Sequence, residues 1–317
     1  LSLYPSACTY FIVHQVFASS CYKDFPNTCV DMAFSNAEEG SKLILSSTEF
    51  AFDLFRKLNA DKKGDNVFLS PTSISMALAM TYLGAKSKTA EQMSDVLKFN
   101  KVHPDHLHSS FSELRKVLVG GDTYALHVAN KLYGHQGYNF LDSFLGATSK
   151  HYGAQLERVN FVEASEDSRK TINQWVESQT NQKIKDLLPS GSIDALTRLV
   201  LVNAIYFKGD WDLKFDTAHT TEDDFTLEDD SKVKVPLMQM KKKFNYGLSR
   251  TLNVKAIELP YAGKKLSMIV LLPEHPNGIG ALEQALSAEH LVNFEKSFEI
   301  MPQVEVNTCL PRFKLED

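Results

Sequence analysis

Residues 197–207 read TRLVLVNAIYF. After Arg198 the run is β-branched, aliphatic or aromatic, and only Asn203 breaks it. Polar residues do not alternate through it, so neither face can point to water, and the run fits a strand buried on both sides. It puts a sheet at the centre of the fold and an amide inside that sheet. A buried amide left without partners costs on the order of 1–3 kcal/mol. Asn203 must therefore find hydrogen bonds within the protein.

From this strand toward the C-terminus the pattern stays extended. Residues 232–240, 244–248, 252–259 and 265–272 read as strands divided by turns such as Tyr261-Ala262-Gly263. Residues 280–298 return to helix, and 303–316 read as two strand-like pieces divided near Pro311. Toward the N-terminus helices dominate. Ser46-Ser47-Thr48-Glu49 is a capping-box pattern, followed by Ala51, Leu54, Phe55 and Leu58 on one helical face. Val67-Phe68-Leu69 reads as a short strand. Ser70-Pro71 then supplies an N-cap with proline at the first helical position, and Ile74, Ala77, Leu78 and Thr81 share a face up to Gly84.

Thr89 opens a short helix ending at Leu97, and residues 105–118 form another. Residues 124–133 alternate as a strand, 141–152 are helical and 155–161 extended. Ser165 opens a helix whose buried stripe is Ile172, Trp175 and Val176. Helices first and antiparallel-looking strands later, without a regular βαβ alternation, indicate an α+β fold.

Composition narrows the functional classes. Of 317 residues, 43% are hydrophobic and 23% charged, which supports a sizeable core in a soluble globular protein. The 34 basic and 39 acidic residues give a net charge of -5, so no electrostatic case exists for nucleic acid or an anionic membrane. No apolar run is long enough to span a bilayer. Cys8, Cys21 and Cys29 cluster near the start and Cys309 near the end, a distribution unlike a disulfide framework or a zinc site. Residues 1–46 read as an N-terminal extension whose place in the mature protein is open. Val16-Phe17-Ala18 is a weak cleavage-site pattern and Met32 an alternative start.

Catalytic patterns are scarce. His103, His106 and His108 have ligand-like spacing but sit in a solvated stretch, so no metal and no cofactor is expected. The acidic clusters Glu38-Glu39, Glu222-Asp223-Asp224 and Glu228-Asp229-Asp230 read as exposed loop charges. Lys241-Lys242-Lys243, with Arg115 and Lys116 elsewhere, is too little positive charge for a glycosaminoglycan groove. Ser70, Ser73 and Asn203 attract more attention. By residue chemistry they are a cap plus a satisfied core amide; the sharper reading is a polar latch in which they pair with one another. A hydrolase built on Ser70 would lack a base.

At these residues the chain resembles the serpin family. NVFLSPTSISMALAMTYLGAKSKTAEQM (66–93), INQWVESQTNQKIKDLL (172–188) and LVLVNAIYFKGDWDLKF (199–215) are similar to its successive segments. VKVPLMQMKKKFNYG, AIELPYAGKKLSMIVLLP and CLPRFKLED follow in family order. The similarity covers residues 47–317 and is nearest the ovalbumin-type, leukocyte-elastase-inhibitor-like branch.

The resemblance implies a serpin fold of three β-sheets with about eight or nine helices, held in a metastable state. It implies suicide inhibition, in which a cleaved reactive loop inserts into the main sheet and drags an acylated protease with it. It assigns Ser70, Ser73 and Asn203 to the shutter, Trp211 to the breach and Asn173 to a helix anchor. The reactive centre, hinge and last strands belong C-terminal to LPRFKLED, so the chain as given is expected to lack them, to be C-terminally truncated and to be inactive. The implied partner is a serine or cysteine protease, met by a monomer in the extracellular space by family default, with the cytoplasm as the alternative. A non-inhibitory storage, carrier or chaperone-like serpin is the competing reading.

Overall fold

The computed structural model describes residues 2–3, 10–12, 34–61, 66–119, 124–227 and 231–313. The signal-like pattern at residues 16–18, Met32 and the Glu228-Asp229-Asp230 cluster lie outside them. The chain divides into two compact units, Leu1–Val30 with Phe52–Leu69 and Gly209–Asp317, and Asp31–Ala51 with Ser70–Lys208.

The second unit is built on a three-stranded sheet. β3 (Tyr124–His135) lies between β4 (Gln155–Val159) and β5 (Leu199–Gly209). β4 runs parallel to β3, with Lys131 opposite Gln155 and Tyr133 opposite Glu157. Helices α2 (Pro71–Gly84), α3 (Ser87–Val96), α4 (Pro104–Val119), α5 (Asp142–Tyr152) and α6 (Ser165–Gln179) belong to the same unit. One core of this unit joins Tyr133 of β3 and Val202 and Ala204 of β5 to Ile172 and Val176 of α6, with Phe161 and Ile193 filling between. The α6 stripe expected from sequence is the buried face observed. Gly134 must be glycine for closeness: a Cβ there would stand 2.5 Å from the Phe140 ring and 2.9 Å from Leu156.

The first unit holds two sheets that share one strand. β7 (Lys232–Ser249) spans 18 residues. Its first part pairs antiparallel with β6 (Thr220–Thr226) and β10 (Val304–Pro311), and its last five residues pair with β8 (Val254–Pro260). β8 then pairs with β9 (Ser267–Pro273). The short strands β1 (Ser2–Leu3) and β2 (Tyr10–Ile12) lie beside β10 and β9. Helices α7 (Ile279–Ala285) and α8 (Ala288–Ile300) cover β8 and β9, and Leu282, Leu291, Phe294 and Phe298 pack on Val254, Ala256, Ile269 and Leu271. With the sheet of the second unit this makes three sheets, and with α1 (Ala37–Asp61) eight α-helices among the described residues. The α+β expectation holds.

Several boundaries differ from the sequence reading. α1 begins at Ala37, upstream of the capping box. The cap is Asn36, whose Oδ1 accepts from the Glu39 amide at 3.2 Å. Ser46 instead sits in mid-helix and donates to the Lys98 carbonyl at 2.8 Å. Residues 66–70, read partly as a strand, form none, because an extended segment needs a neighbour to pair with. The two strands expected within 232–248 are one, since the lysine triplet sits on a strand with exposed side chains rather than in a turn. The single helix expected over 280–298 breaks at Leu286 and Ser287, and the acidic stretch at 222–224 is part of β6. Residues 304–311 form one strand; Arg312 and Phe313, the start of the second expected piece, lie in no strand, and its remainder lies outside the described residues.

Candidate functional site: amide bridges within and over the sheets

Asn203 lies on β5, inside the apolar run that demanded a partner for it. Its Nδ2 donates to Oδ1 of Asn130 on β3 at 2.6 Å. The two strands are neighbours in the sheet, so the amide pair is a side-chain bond laid across the backbone ladder. Asn130 is itself buried, and its own Nδ2 donates to the Tyr152 carbonyl at 3.3 Å and lies 3.5 Å from Met76 Sδ. Met76 is on α2, the helix that Ser70 caps.

Ser70 stands at the N-cap with its carbonyl accepting from the Ile74 amide at 3.1 Å, but its hydroxyl makes no capping bond. Ser73 is buried one turn before Met76, on the same face. The hydrogen bond of Asn203 thus goes to Asn130, which the sequence reading had not selected. A signal was present: Asn130 interrupts the alternating strand at 124–133 much as Asn203 interrupts 199–207.

The polar path continues through the Tyr152 side chain. The Tyr152 hydroxyl and His108 Nδ1 are 2.6 Å apart. Burial holds His108 down to about 4, with the His151 ring beside it as the second cause. The same burial raises the Tyr152 phenol well above its usual range. His108 therefore stays neutral near pH 7. His103 and His106 face each other at 5.7 Å and do not join it. Among the described residues no group of His, Cys, Asp or Glu could hold a metal ion.

Asn173 makes a two-way bond with the chain after its helix. Its Nδ2 donates to the Leu188 carbonyl at 2.9 Å, and its Oδ1 accepts from the Leu188 amide at 2.9 Å. The side-chain amide thereby stands in for a peptide group. Arg169 Nη1 adds a second donor to the same carbonyl at 2.7 Å. Trp175, on the same helix, meets the Tyr133 ring edge-on at 6.3 Å. Lys131 Nζ lies 5.1 Å from the Tyr133 ring and 5.3 Å from that of Trp175, while also pairing with Glu157 at 2.6 Å.

Trp211 belongs to the first unit. Its ring stacks on Tyr261 at 4.5 Å with an 11° interplanar angle, and the two residues form a short antiparallel bridge. The Asp212 amide donates to the Pro260 carbonyl at 2.9 Å and the Ala262 amide to the Asp210 carbonyl at 2.7 Å. Burial pushes the Tyr261 phenol up to about 12. The Lys-Gly-Asp-Trp segment is thus clamped to the turn after β8.

Of the acidic clusters, Glu39 departs from the reading as a loop charge. It is buried in the first turn of α1, takes Lys42 at 2.8 Å and accepts the His103 amide. Asp224 is exposed as expected and pairs with Lys234 at 2.7 Å. Lys241 of the basic triplet pairs with Glu305 at 3.0 Å.

The contacts that gather around the selected residues tie strands, helices and turns to one another. The serpin family model, described as serine protease inhibitor, matches residues 45–317. The leukocyte elastase inhibitor of Homo sapiens is 46% identical over 281 residues, covering 87% of this chain and 73% of that protein. The protein of the same name from Xenopus laevis is 45% identical over 276 residues, covering 85% and 72%. A solved structure of ovalbumin from emu, Dromaius novaehollandiae, superposes with a TM-score of 0.84 at 35% identity, over 87% of this chain and 74% of that one. The chain belongs to the serpin family.

Proposed function

We propose that the protein is a serine protease inhibitor that works by inserting a cleaved loop as a new strand beside β5. The observation that carries this is the 46% identity to a leukocyte elastase inhibitor over 281 residues. The sheet is suited to the role: β5, an apolar strand, has β3 as its neighbour on one side and none on the other among the described residues. The Asn130–Asn203 bond then holds β3 to β5 next to the site of insertion, with Ser70 and Ser73 on the helix beneath serving as the rest of the shutter. Trp211 on Tyr261 forms the breach. Asn173 anchors the segment at Leu188 to α6, which fixes the helix over the sheet until insertion moves it.

The target class is an elastase-like serine protease, met by a monomer without a glycosaminoglycan or other cofactor. The proposed setting is the extracellular space, with the cytoplasm as the alternative; among the described residues no helix is long and apolar enough to cross a membrane. The test is covalent capture. The protein carried through its natural transcript beyond Asp317 is incubated with neutrophil elastase and run on a denaturing gel. An SDS-resistant complex at the summed mass is expected. Cleavage with release of free protease, or no reaction, overturns the inhibitory reading in favour of a storage or carrier role.

A further inference from the structure

His108 lies on α4 at the head of a line of polar contacts that crosses the second unit. Its Nδ1 is 2.6 Å from the hydroxyl of Tyr152, the last residue of α5. The carbonyl of the same tyrosine accepts from Asn130 Nδ2 on β3 at 3.3 Å, and Asn130 Oδ1 accepts from Asn203 Nδ2 on β5 at 2.6 Å. Tyr152 is thus held at both ends, by a helix through its ring and by the sheet through its backbone. It is 1% exposed, so neither end has water to fall back on.

The surroundings of His108 suit a neutral ring. Tyr82 of α2 stands at 6.1 Å, Tyr152 at 5.9 Å and His151 of α5 at 6.1 Å. The short turn at Phe99–Lys101 brings the Phe99 ring against Tyr82 and Phe111, while Lys101 pairs with Glu49. β3 brings the uncharged Asn130 to the Tyr152 carbonyl. Two turns further along α4, Arg115 stands over Gly153, just past the end of α5. The charge that acts on His108 is that of His151, of its own sign. His151 is itself held down by burial and by Lys150, against a hydrogen bond to the His108 main chain. A proton on His108 is therefore buried without a counter-charge among the described residues. It also forces Nδ1 to donate, which takes from the Tyr152 hydroxyl the acceptor that Nδ1 provides.

We propose that His108 is a proton-operated latch on the β3–β5 amide pair: while neutral it holds Tyr152 and, through it, Asn130 against Asn203, and on taking a proton it leaves its pocket and lets that pair loosen. The direction follows from burial. The folded ring takes a proton only near pH 4, whereas a ring swung into water takes it near the ordinary 6.5. Falling pH thus favours the released state. Discounted for the part of the ring already open to water, the equilibrium for release should rise about tenfold between pH 7 and pH 5. The latch goes beyond protease inhibition: it sets how firmly two strands of the sheet are joined, whatever comes to lie beside β5.

The experiment is hydrogen exchange followed by mass spectrometry on the full chain at pH 7 and pH 5, with each rate divided by the intrinsic rate at that pH. In the parent, protection over residues 124–135 and 199–209 should fall about tenfold between the two, while residues 254–273, in the other unit, change less. His108→Gln keeps a group able to bond Tyr152 but cannot titrate, so its protection over the same strands should stay level. His151→Gln should respond as the parent does. If the glutamine variant at 108 fails to fold, Tyr152→Phe decides. It removes only the hydroxyl, and at pH 7 it should already show the looser β3 and β5 of the parent at pH 5. An undiminished response in His108→Gln, a response lost in His151→Gln, an equal loss over residues 254–273, or unaltered strands in Tyr152→Phe each overturns the latch.

Discussion

The bond between Asn203 and Asn130 carries more weight than its length suggests, because Asn130 is buried and Asn203 half-buried, so water does not readily replace either partner. Removing one side leaves the other amide with lost bonds and an incurred desolvation cost. Asn203→Ala should cost about 1–3 kcal/mol of unfolding free energy, and Asn130→Ala a similar amount. The double variant should be less destabilised than the sum, by about 1 kcal/mol or more, since each single change already breaks the shared bond. Urea unfolding of the four proteins checks this; strict additivity would show that the amides do not depend on one another.

His108 supplies the pH dependence at this scale. Its folded value of about 4 lies below the ordinary 6.5, so the unfolded chain binds the proton first as pH falls. The stabilisation is complete above about pH 7 and is lost between about pH 6.5 and 4. After discounting for the part of the ring open to water, the loss is on the order of 2 kcal/mol. His151 shifts in the same direction and adds to the slope. His108→Gln keeps a group able to bond Tyr152 but cannot titrate. Its unfolding free energy, measured from pH 7 to 4, should fall less steeply than that of the parent.

Element by element, what could be read in advance follows the strength of local periodicity. β5 and α6 were legible because one shows an apolar run broken only by Asn203 and the other a clean stripe at Ile172, Trp175 and Val176. The 18-residue span of β7 was not, because Lys241, Lys242 and Lys243 look like a turn until β10 is laid alongside, with Asn307 opposite Lys241 and Glu305 opposite Lys243. α1 was cut short because a capping box weighs strongly in a sequence, whereas Ser46 spends its hydroxyl on Lys98, a contact 52 positions away. Among site residues, Asn203 was found because it is polar in an apolar strand. Asn130 was passed over because its strand alternates, and an alternating strand makes room for polar residues.

The helix–sheet contact gives this scale its own prediction. Trp175→Ala removes the ring that meets Tyr133 and Lys131, leaving Lys131 with Glu157 and a gap beneath α6. The change should cost about 2–3 kcal/mol, judged from aromatic truncations at partly buried sites. The loss should be local, with faster hydrogen exchange over residues 165–179. Trp175→Phe should retain most of the protection, and equal losses for Ala and Phe would assign the effect to the indole N–H rather than to packing.

For the molecule as a whole, the proposed mechanism rests on a sheet able to gain stability by gaining a strand. β5 is 11 residues long and, among the described residues, is paired on one side only. A ligand that binds only the folded state raises stability by RT ln(1 + [L]/Kd), about 2.7 kcal/mol at a hundredfold excess over Kd. An uncharged extended peptide of about 12 residues, alternating Thr and Ala, should therefore raise the thermal midpoint in proportion to the logarithm of its concentration once above Kd. A version with proline at a central position lacks a ladder donor and should not. Hydrogen exchange locates the gain: protection should rise over residues 199–209. A midpoint that rises equally with both peptides would mark nonspecific association, and one that rises with neither would mean that β5 does not accept a strand, removing the physical basis for inhibition by insertion.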